Sequence, residues 1–228
     1  MLDDPPILTI REAFTRPAAD KVAALAGAQT GHLVDSMDGR GALDWRIKPL
    51  DPANAAFCGV AITAFAYPAD NLGVFGALEQ AQAGDVIIVA NDGYTGTALV
   101  GDLVCGMMKN KGVAAFVTDG LARDRAGILA TGLPVFCAGV SPNSPARTGP
   151  GTTNLPIQIA GVTVSPGDVI VGDADGVVVV PQAMLDGVIE RLKAIRTAEA
   201  AAEAKVKGGA TMNAAAGRIL KSDRVKRI

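Results

Sequence analysis

Short apolar runs alternate with helical periodicities along the middle of the chain. Phe57 to Phe65 is apolar and partly β-branched, which predicts a strand. Leu72, Val74, Phe75, Leu78 and Ala81 recur at near-helical spacing after Asp70, a candidate cap, and Gly84-Asp85 closes that helix. The pattern then repeats: strand Asp85–Ala90, loop Asn91–Gly96, helix Asp102–Lys111, strand Val113–Thr118, a short helix from Asp124 or Arg125 to Thr131, and strand Pro134–Ala138. Strand, helix, strand, helix, strand in this order predicts a parallel sheet with right-handed crossovers. Its strands read as continuous apolar runs because both faces are to be buried.

The flanks have a different texture. Ala18–Ala26 is Ala-rich and helix-forming, and Thr30 is a candidate cap for a second helix reaching Gly39. Ser141–Pro156 is rich in Pro, Gly, Ser and Thr and predicts a long loop. Three short strands should follow at Ile157–Ala160, Val169–Val171 and Val177–Val180, with turns at Gly161, Pro166-Gly167 and Asp173–Gly176. After Pro181, suited to a first helical turn, a long helix should run from Gln182 to about Lys207, broken by Gly208-Gly209. The basic tail to Ile228 is expected to be loosely held. No internal repeat is evident, and the 228 residues suit a single domain: a helical part over 1–50, a core over 57–181, and a helix and tail over 182–228.

Composition narrows the function classes. Hydrophobic residues make up 49% and charged residues 19%, a globular balance. Net charge is −2 and aromatics are 4%, so neither a basic field nor stacking platforms for nucleic acid are expected. Apolar runs such as Val86–Ala90 and Val177–Val180 are too short to span a bilayer, and Met1-Leu2-Asp3-Asp4-Pro5-Pro6 lacks the basic and apolar regions of a signal peptide. A cytoplasmic protein binding neither membrane nor nucleic acid is expected. Cys58, Cys105 and Cys137 are widely spaced with no CxxC, which reads as buried reduced thiols. His32 is the single histidine, so one chain cannot build a multi-histidine metal site.

Chemistry concentrates between Gly101 and Asp124. Gly101-Asp102-Leu103-Val104 opens a helix, whose unpaired N–H groups and dipole suit a carboxylate or phosphate, although any capped βα turn looks similar. Val117–Asp124 leaves the C-terminal end of a buried strand, where open α/β sheets bind ligands. There Arg123 offers a planar donor fork for a carboxylate or enolate oxygen, and Asp124 a hard oxygen ligand for Mg²⁺ or Mn²⁺. By spacing alone, Asp124 fits a helix cap and Arg123 a local ion pair equally well.

The stretches GDLVCGMMKNKGVAAFVTDGLARD (101–124), GILATGLPVFCAGVSP (127–142) and PGDVIVGDADGVVVVP (166–181), with ADNLGVFGALEQAQAGDVIIV (69–89) before them, resemble the class II 4-hydroxy-4-methyl-2-oxoglutarate / 4-carboxy-4-hydroxy-2-oxoadipate aldolases and their RraA-like relatives. The resemblance is close over Phe57–Pro181. It implies an α/β fold: a layered β/β/α domain resembling the swivelling phosphohistidine domain, with N-terminal helices and a long C-terminal helix. It further implies homotrimers or homohexamers with active sites between subunits. Carried over, Gly101, Asp102, Leu103 and Val104 would bind the pyruvyl carboxylate. Arg123 would hold the 2-oxo oxygen and stabilise the enolate, and Asp124 would bind the divalent ion, partly through water. Asp102 could assist a metal-bound water as base. Glu199, on the last helix with Glu203 one turn on, would reach the next subunit's metal shell, against the alternative of a solvated helix end paired with Arg196. Asp35 matches a position where relatives often carry Glu, and its shorter side chain weakens that assignment. Lys109 and Lys111 are read as solvated helix residues, and Arg147 in the long loop as a reader of distal carboxylates.

Two functions follow from the resemblance. One is a metal-dependent aldolase releasing pyruvate plus oxaloacetate or a second pyruvate, with oxaloacetate decarboxylation through the same enolate as a side or main activity. The other is an RraA-like regulator that contacts an RNA-degrading endonuclease without catalysis.

Overall fold

The computed structural model describes residues 6–228, so most of the acidic N-terminus read above lies outside the described residues. Four parallel strands form the centre of the main sheet: β3 (Phe57–Ala66), β4 (Val86–Ala90), β6 (Ala115–Thr118) and β8 (Val135–Cys137), adjacent in that order. This is the parallel sheet that the strand–helix alternation predicts. β1 (Thr9–Ile10) and β10 (Gly151–Thr153) extend it beyond β3, and β2 (Lys48–Pro49) closes the other edge antiparallel to β8. The first half of β3 pairs instead with β13 (Val169–Asp173), which forms a hairpin with β14 (Gly176–Val180).

Side-chain alternation along these strands divides the interior into layers. Ile62, Ala64, Ile87, Val89 and Phe116 face α3 (Leu72–Gln80), α4 (Asp102–Asn110) and α5 (Arg125–Thr131). Ala61, Val86, Ile88, Ala115 and Val117 face the other way, onto Ile170, Val177 and Val179 and the hairpin of β11 (Ile157–Ile159) and β12 (Val162–Val164). Val169, Val171, Val178 and Val180, one residue out of phase, face a third layer. That layer holds α1 (Ala19–Leu25), α2 (Thr30–Ser36) and α6 (Leu185–Lys207) through Leu25, Leu33, Val188 and Leu192. A period of two places successive residues on opposite faces, so each apolar run serves two cores at once.

Several local expectations are corrected. Asn71 occupies the N-cap position of α3, and Asp70 does the capping from one residue earlier, accepting from Leu72 N–H at 2.7 Å. Thr30 lies inside α2, where its N–H and Oγ1 both donate to the Asp173 carboxylate at 2.8 Å. The expected loop 141–156 contains β10, and the tail contains a further helix, α7 (Ala214–Leu220), capped by Asn213. The long helix begins with a 3₁₀ turn over Gln182–Met184.

The feature with most consequence for function is a second sheet, not foreseen from sequence. β5 (Ala98–Val100), β7 (Leu121–Ala122) and β9 (Gly139–Val140) run parallel in that order. Each follows a strand of the main sheet, and their C-terminal ends lie side by side.

Candidate active site

Each strand of the small sheet delivers one part of the site at its C-terminal end: β5 leads into Gly101–Val104, β7 into Arg123-Asp124, and β9 into Ser141–Ser144. The backbone ties these parts together, since Arg123 N–H donates to Val100 C=O and Ser141 N–H to Ala122 C=O, both at 2.9 Å. Parallel pairing is therefore what brings residues about twenty positions apart to one place.

Gly101 is the N-cap residue of α4, and the first intrahelical bond is Cys105 N–H to Gly101 C=O at 3.1 Å. The N–H groups before it emerge from the helix end. Asp102 Oδ1 takes one of them, accepting from Leu103 N–H at 2.7 Å. Gly101 packs directly under the pair: a Cβ there would stand 2.5 Å from Asp124 Oδ2 and 3.2 Å from Arg123 Nε, so the pair would have to shift. Gly127 has no room for a side chain, because a Cβ would meet Asp102 Oδ2 at 2.5 Å and Asp102 Cβ at 2.6 Å. The two glycines let α5 and its leading pair close against the start of α4.

Asp124 occupies the N-cap position of α5 with φ 55° and ψ 43°, a left-handed conformation that costs a non-glycine residue on the order of 1 kcal/mol. It makes no capping hydrogen bond to α5. Its carboxylate instead lies 3.2 Å from Arg123 Nε. Of the two roles open to it from sequence, helix cap or ligand, the backbone turns the carboxylate away from the first. With both side chains more than a third exposed, this ion pair adds little stability, and its consequence is orientation. Arg123, Asp124, Arg125, Val140, Ser141 and Pro142 line an open cleft of about 260 Å³. Arg123 Nη1 also donates to Ser144 Oγ, a partner that sequence reasoning missed. The only trace of Ser144 in the sequence was its place in a Pro- and Ser-rich loop.

The remaining candidates lie elsewhere in the chain. Asp35, exposed on α2, and Glu199, exposed on α6, belong to the third layer, and α6 packs on α1 and α2. Neither the Glu199–Arg196 pair nor an unpaired stack of Glu199 and Glu203 is formed: Glu203 bonds Lys207 at 2.6 Å. Among the described residues, no three of His, Cys, Asp and Glu gather to hold a metal ion. Arg147 stacks over the Phe75 ring at 5.3 Å. Lys109 and Lys111 are exposed, as read from sequence, although their Nζ atoms donate to backbone carbonyls of Gly132, Leu78 and Glu79.

Two carboxylates outside this cleft carry structural duty. Asp119, after β6, accepts from Asn91 N–H at 2.7 Å and Gly93 N–H at 3.1 Å; burial pushes its carboxyl up against those bonds. Asp85 forms a two-pronged pair with Arg16, at 2.6 and 2.8 Å. The thiols are free; burial pushes Cys58 up to about 11 and Cys105 to about 12. No helix among the described residues is long and apolar enough to cross a membrane.

A small parallel sheet opens here onto a helix N-terminus and an Arg-Asp pair, at the strand ends where open α/β sheets bind ligands. Comparison with known proteins makes the assignment specific. The family model RraA-like, described as Aldolase/RraA, matches residues 30–179, and the chain belongs to this family. A protein of Halalkalibacterium halodurans, provisionally named 4-hydroxy-4-methyl-2-oxoglutarate aldolase, is 42% identical over 159 residues, 70% of this chain and 75% of that one. Among solved structures, Streptomyces coelicolor RraAS2, described as an unusual member of the RNase ES inhibitor RraA family, matches with a TM-score of 0.76 and 27% identity, over 84% of this chain and 99% of that one. The RNA-processing inhibitor RraA of Thermus thermophilus matches with a TM-score of 0.62 and 29% identity, over 68% of this chain and 93% of that one.

Proposed function

We propose that the protein is a divalent-metal-dependent aldolase. It cleaves a 4-hydroxy-2-oxo di- or tricarboxylic acid, such as 4-hydroxy-4-methyl-2-oxoglutarate or 4-carboxy-4-hydroxy-2-oxoadipate, to pyruvate plus pyruvate or oxaloacetate. The observation that carries this reading is the packing of the Arg123-Asp124 pair directly against Gly101 at the start of α4. A donor fork and a hard carboxylate then stand beside the helix start, whose N–H groups other than that of Leu103 are left by Asp102, the set that a 2-oxo acid and its enolate require.

In this reading the substrate carboxylate takes the N–H groups at the start of α4, and Arg123 donates to the 2-oxo oxygen. Removal of the C4 hydroxyl proton lets the C3–C4 bond break, its electron pair passing to the 2-oxo oxygen as enolate. Arg123 binds that oxygen more tightly as its charge grows, which lowers the barrier. Protonation at C3 then gives pyruvate. Asp102, held in place by Leu103 N–H and facing Gly127, assists the proton transfers.

The donor set fits Mg²⁺ or Mn²⁺ held by one or two carboxylates with water and substrate oxygens completing the shell, and does not fit an all-protein cage. Asp124 is the residue that would hold the ion, with Glu199 and Asp35 of neighbouring subunits completing the outer shell; when bound, the ion supplies a Lewis acid at the 2-oxo oxygen. A trimer or hexamer would also cover the apolar residues beside the cleft: Leu103 at 76%, Met107 at 50% and Val140 at 53% exposure are large for solvent-facing side chains. Oxaloacetate decarboxylation would pass through the same enolate.

The second reading, a non-catalytic partner of an RNA-degrading endonuclease, draws on the Thermus and Streptomyces relatives. Against it stands the extra chain: nearly the whole Thermus protein is matched by 68% of this one. A coupled pyruvate-release assay separates the two, run with and without Mg²⁺ or Mn²⁺ on wild type and Arg123→Ala. Turnover that is metal-independent, or absent on every 4-hydroxy-2-oxo acid tried, would overturn the aldolase reading.

A further inference from the structure

We infer that Ser144 is a positioning residue for Arg123, tethering the guanidinium so that Nη2 is the donor left for the reacting oxygen; this rests on the aldolase reading above. The three guanidinium nitrogens are used unequally. Nε lies against Asp124 Oδ2 and Nη1 donates to Ser144 Oγ, while Nη2 has no hydrogen-bond partner among the described residues. An arginine side chain held only at Nε, by its own neighbour and at the surface, keeps most of its rotamer freedom. A second tether at Nη1 removes the remaining swing and fixes the plane of the fork.

Ser144 can do this because its loop is pinned on both sides. Before it, Asn143 C=O accepts from Ala98 N–H at 3.0 Å, and Asn143 Nδ2 donates to Gly96 C=O at 2.9 Å. After it, Ala146 N–H donates to Ala69 C=O at 2.7 Å, and its C=O accepts from Asn71 N–H at 3.0 Å. Asp70, 3% exposed, then accepts from Gly149 N–H at 3.0 Å. Only Ser144 and Pro145 lie between these fixed points. None of the pinning bonds uses the Ser144 side chain, so its removal leaves the loop anchored.

The test compares Ser144→Ala and Ser144→Thr with wild type in the full-length, metal-loaded protein. For Ser144→Ala the expected result is a kcat lower by roughly ten- to hundredfold, the scale of a small misplacement of a catalytic group, with KM changed less than about twofold. Ser144→Thr, which keeps the hydroxyl, should restore most of kcat. Solvent exchange of the Arg123 Nε–H, followed by ¹⁵N NMR and assigned with Arg123→Lys, should quicken in Ser144→Ala and not in Ser144→Thr. Unchanged exchange in Ser144→Ala, a loss confined to KM, or a threonine variant as impaired as the alanine one would overturn the inference. If wild type releases no pyruvate, the aldolase reading fails instead, and the exchange measurement alone still decides whether Ser144 positions Arg123.

Discussion

The segment from Gly101 to Asp124 and the C-terminal half of α6 differ in how far one chain completes them. In the first, each functional group has a neighbour that fixes it: Arg123 has Asp124 and Ser144, Asp102 has Leu103 N–H and the bare face of Gly127, and the backbones are knitted by β5 and β7. In the second, Leu185, Val188 and Leu192 anchor the helix to the third layer, and from Arg196 to Lys207 every residue is exposed. Glu199 sits in that exposed half. A helix held by its own core only at one end, and Ala-rich at the other, is stable enough to project but not to orient a side chain. On the proposed aldolase reading, residues that align with the reacting atom come from the knitted region, and residues that bring charge to a metal shell come from the projecting one, received by a second subunit.

The largest effect is expected at Arg123. Replacing it with alanine should lower kcat by about 10²–10³-fold, the cost of losing one donor to a developing oxyanion, with little change in melting temperature. An Arg123→Ala variant that retains near-normal pyruvate release would remove the site assignment altogether. Gly101→Ala probes the same region through packing. The added Cβ meets Asp124 Oδ2 at 2.5 Å, so the Arg-Asp pair must shift, and roughly a tenfold or larger loss of kcat is expected, measured in the same assay.

Across the comparison, Leu192→Ala should cost about 2–5 kcal/mol in a urea titration, whereas Val206→Ala, in the exposed half of the same helix, should stay within about 0.5 kcal/mol. Equal losses would mean that the projecting half is packed in solution in a way that the single chain does not reveal. Glu199→Ala sharpens the point. Its stability should match wild type and its activity should fall, and co-expression with Arg123→Ala should give mixed oligomers more active than either parent. No recovery in the mixed species would remove Glu199 from the neighbour's site. The smallest effect concerns the thiols. With Cys58 pushed up to about 11 and Cys105 to about 12 by burial, both stay protonated at pH 8, and iodoacetamide should leave the native protein essentially unlabelled there while modifying all three cysteines in denaturant.

The two regions were also unequally legible in the sequence. The parallel centre could be read because its strands are short apolar runs separated by helical periodicities, a signal local to each segment. The helix opening at Asp102 was readable for the same reason, whereas spacing left the strand-end pair Arg123-Asp124 evenly between a capped helix start and a site, and only the family resemblance favoured the site. β5, β7 and β9 were not, since strands of two or three residues carry no period of their own and exist only by pairing with one another. Ser144 was invisible because what brings it to Arg123 is a set of loop anchors contributed by Asp70, Ala98 and Gly96, distant in sequence.

The layered α/β order and the family are legible along the chain, because they depend on local periodicity and ordered motifs. Long-range packing alone arranges the residues between Gly101 and Asp124. It turned Asp124 into the left-handed conformation that denies it the helix cap, brought Gly101 against it, and left Glu199 on a projecting helix away from its own layer's core. Such choices are made by close contacts between segments far apart along the chain, and no local pattern encodes them.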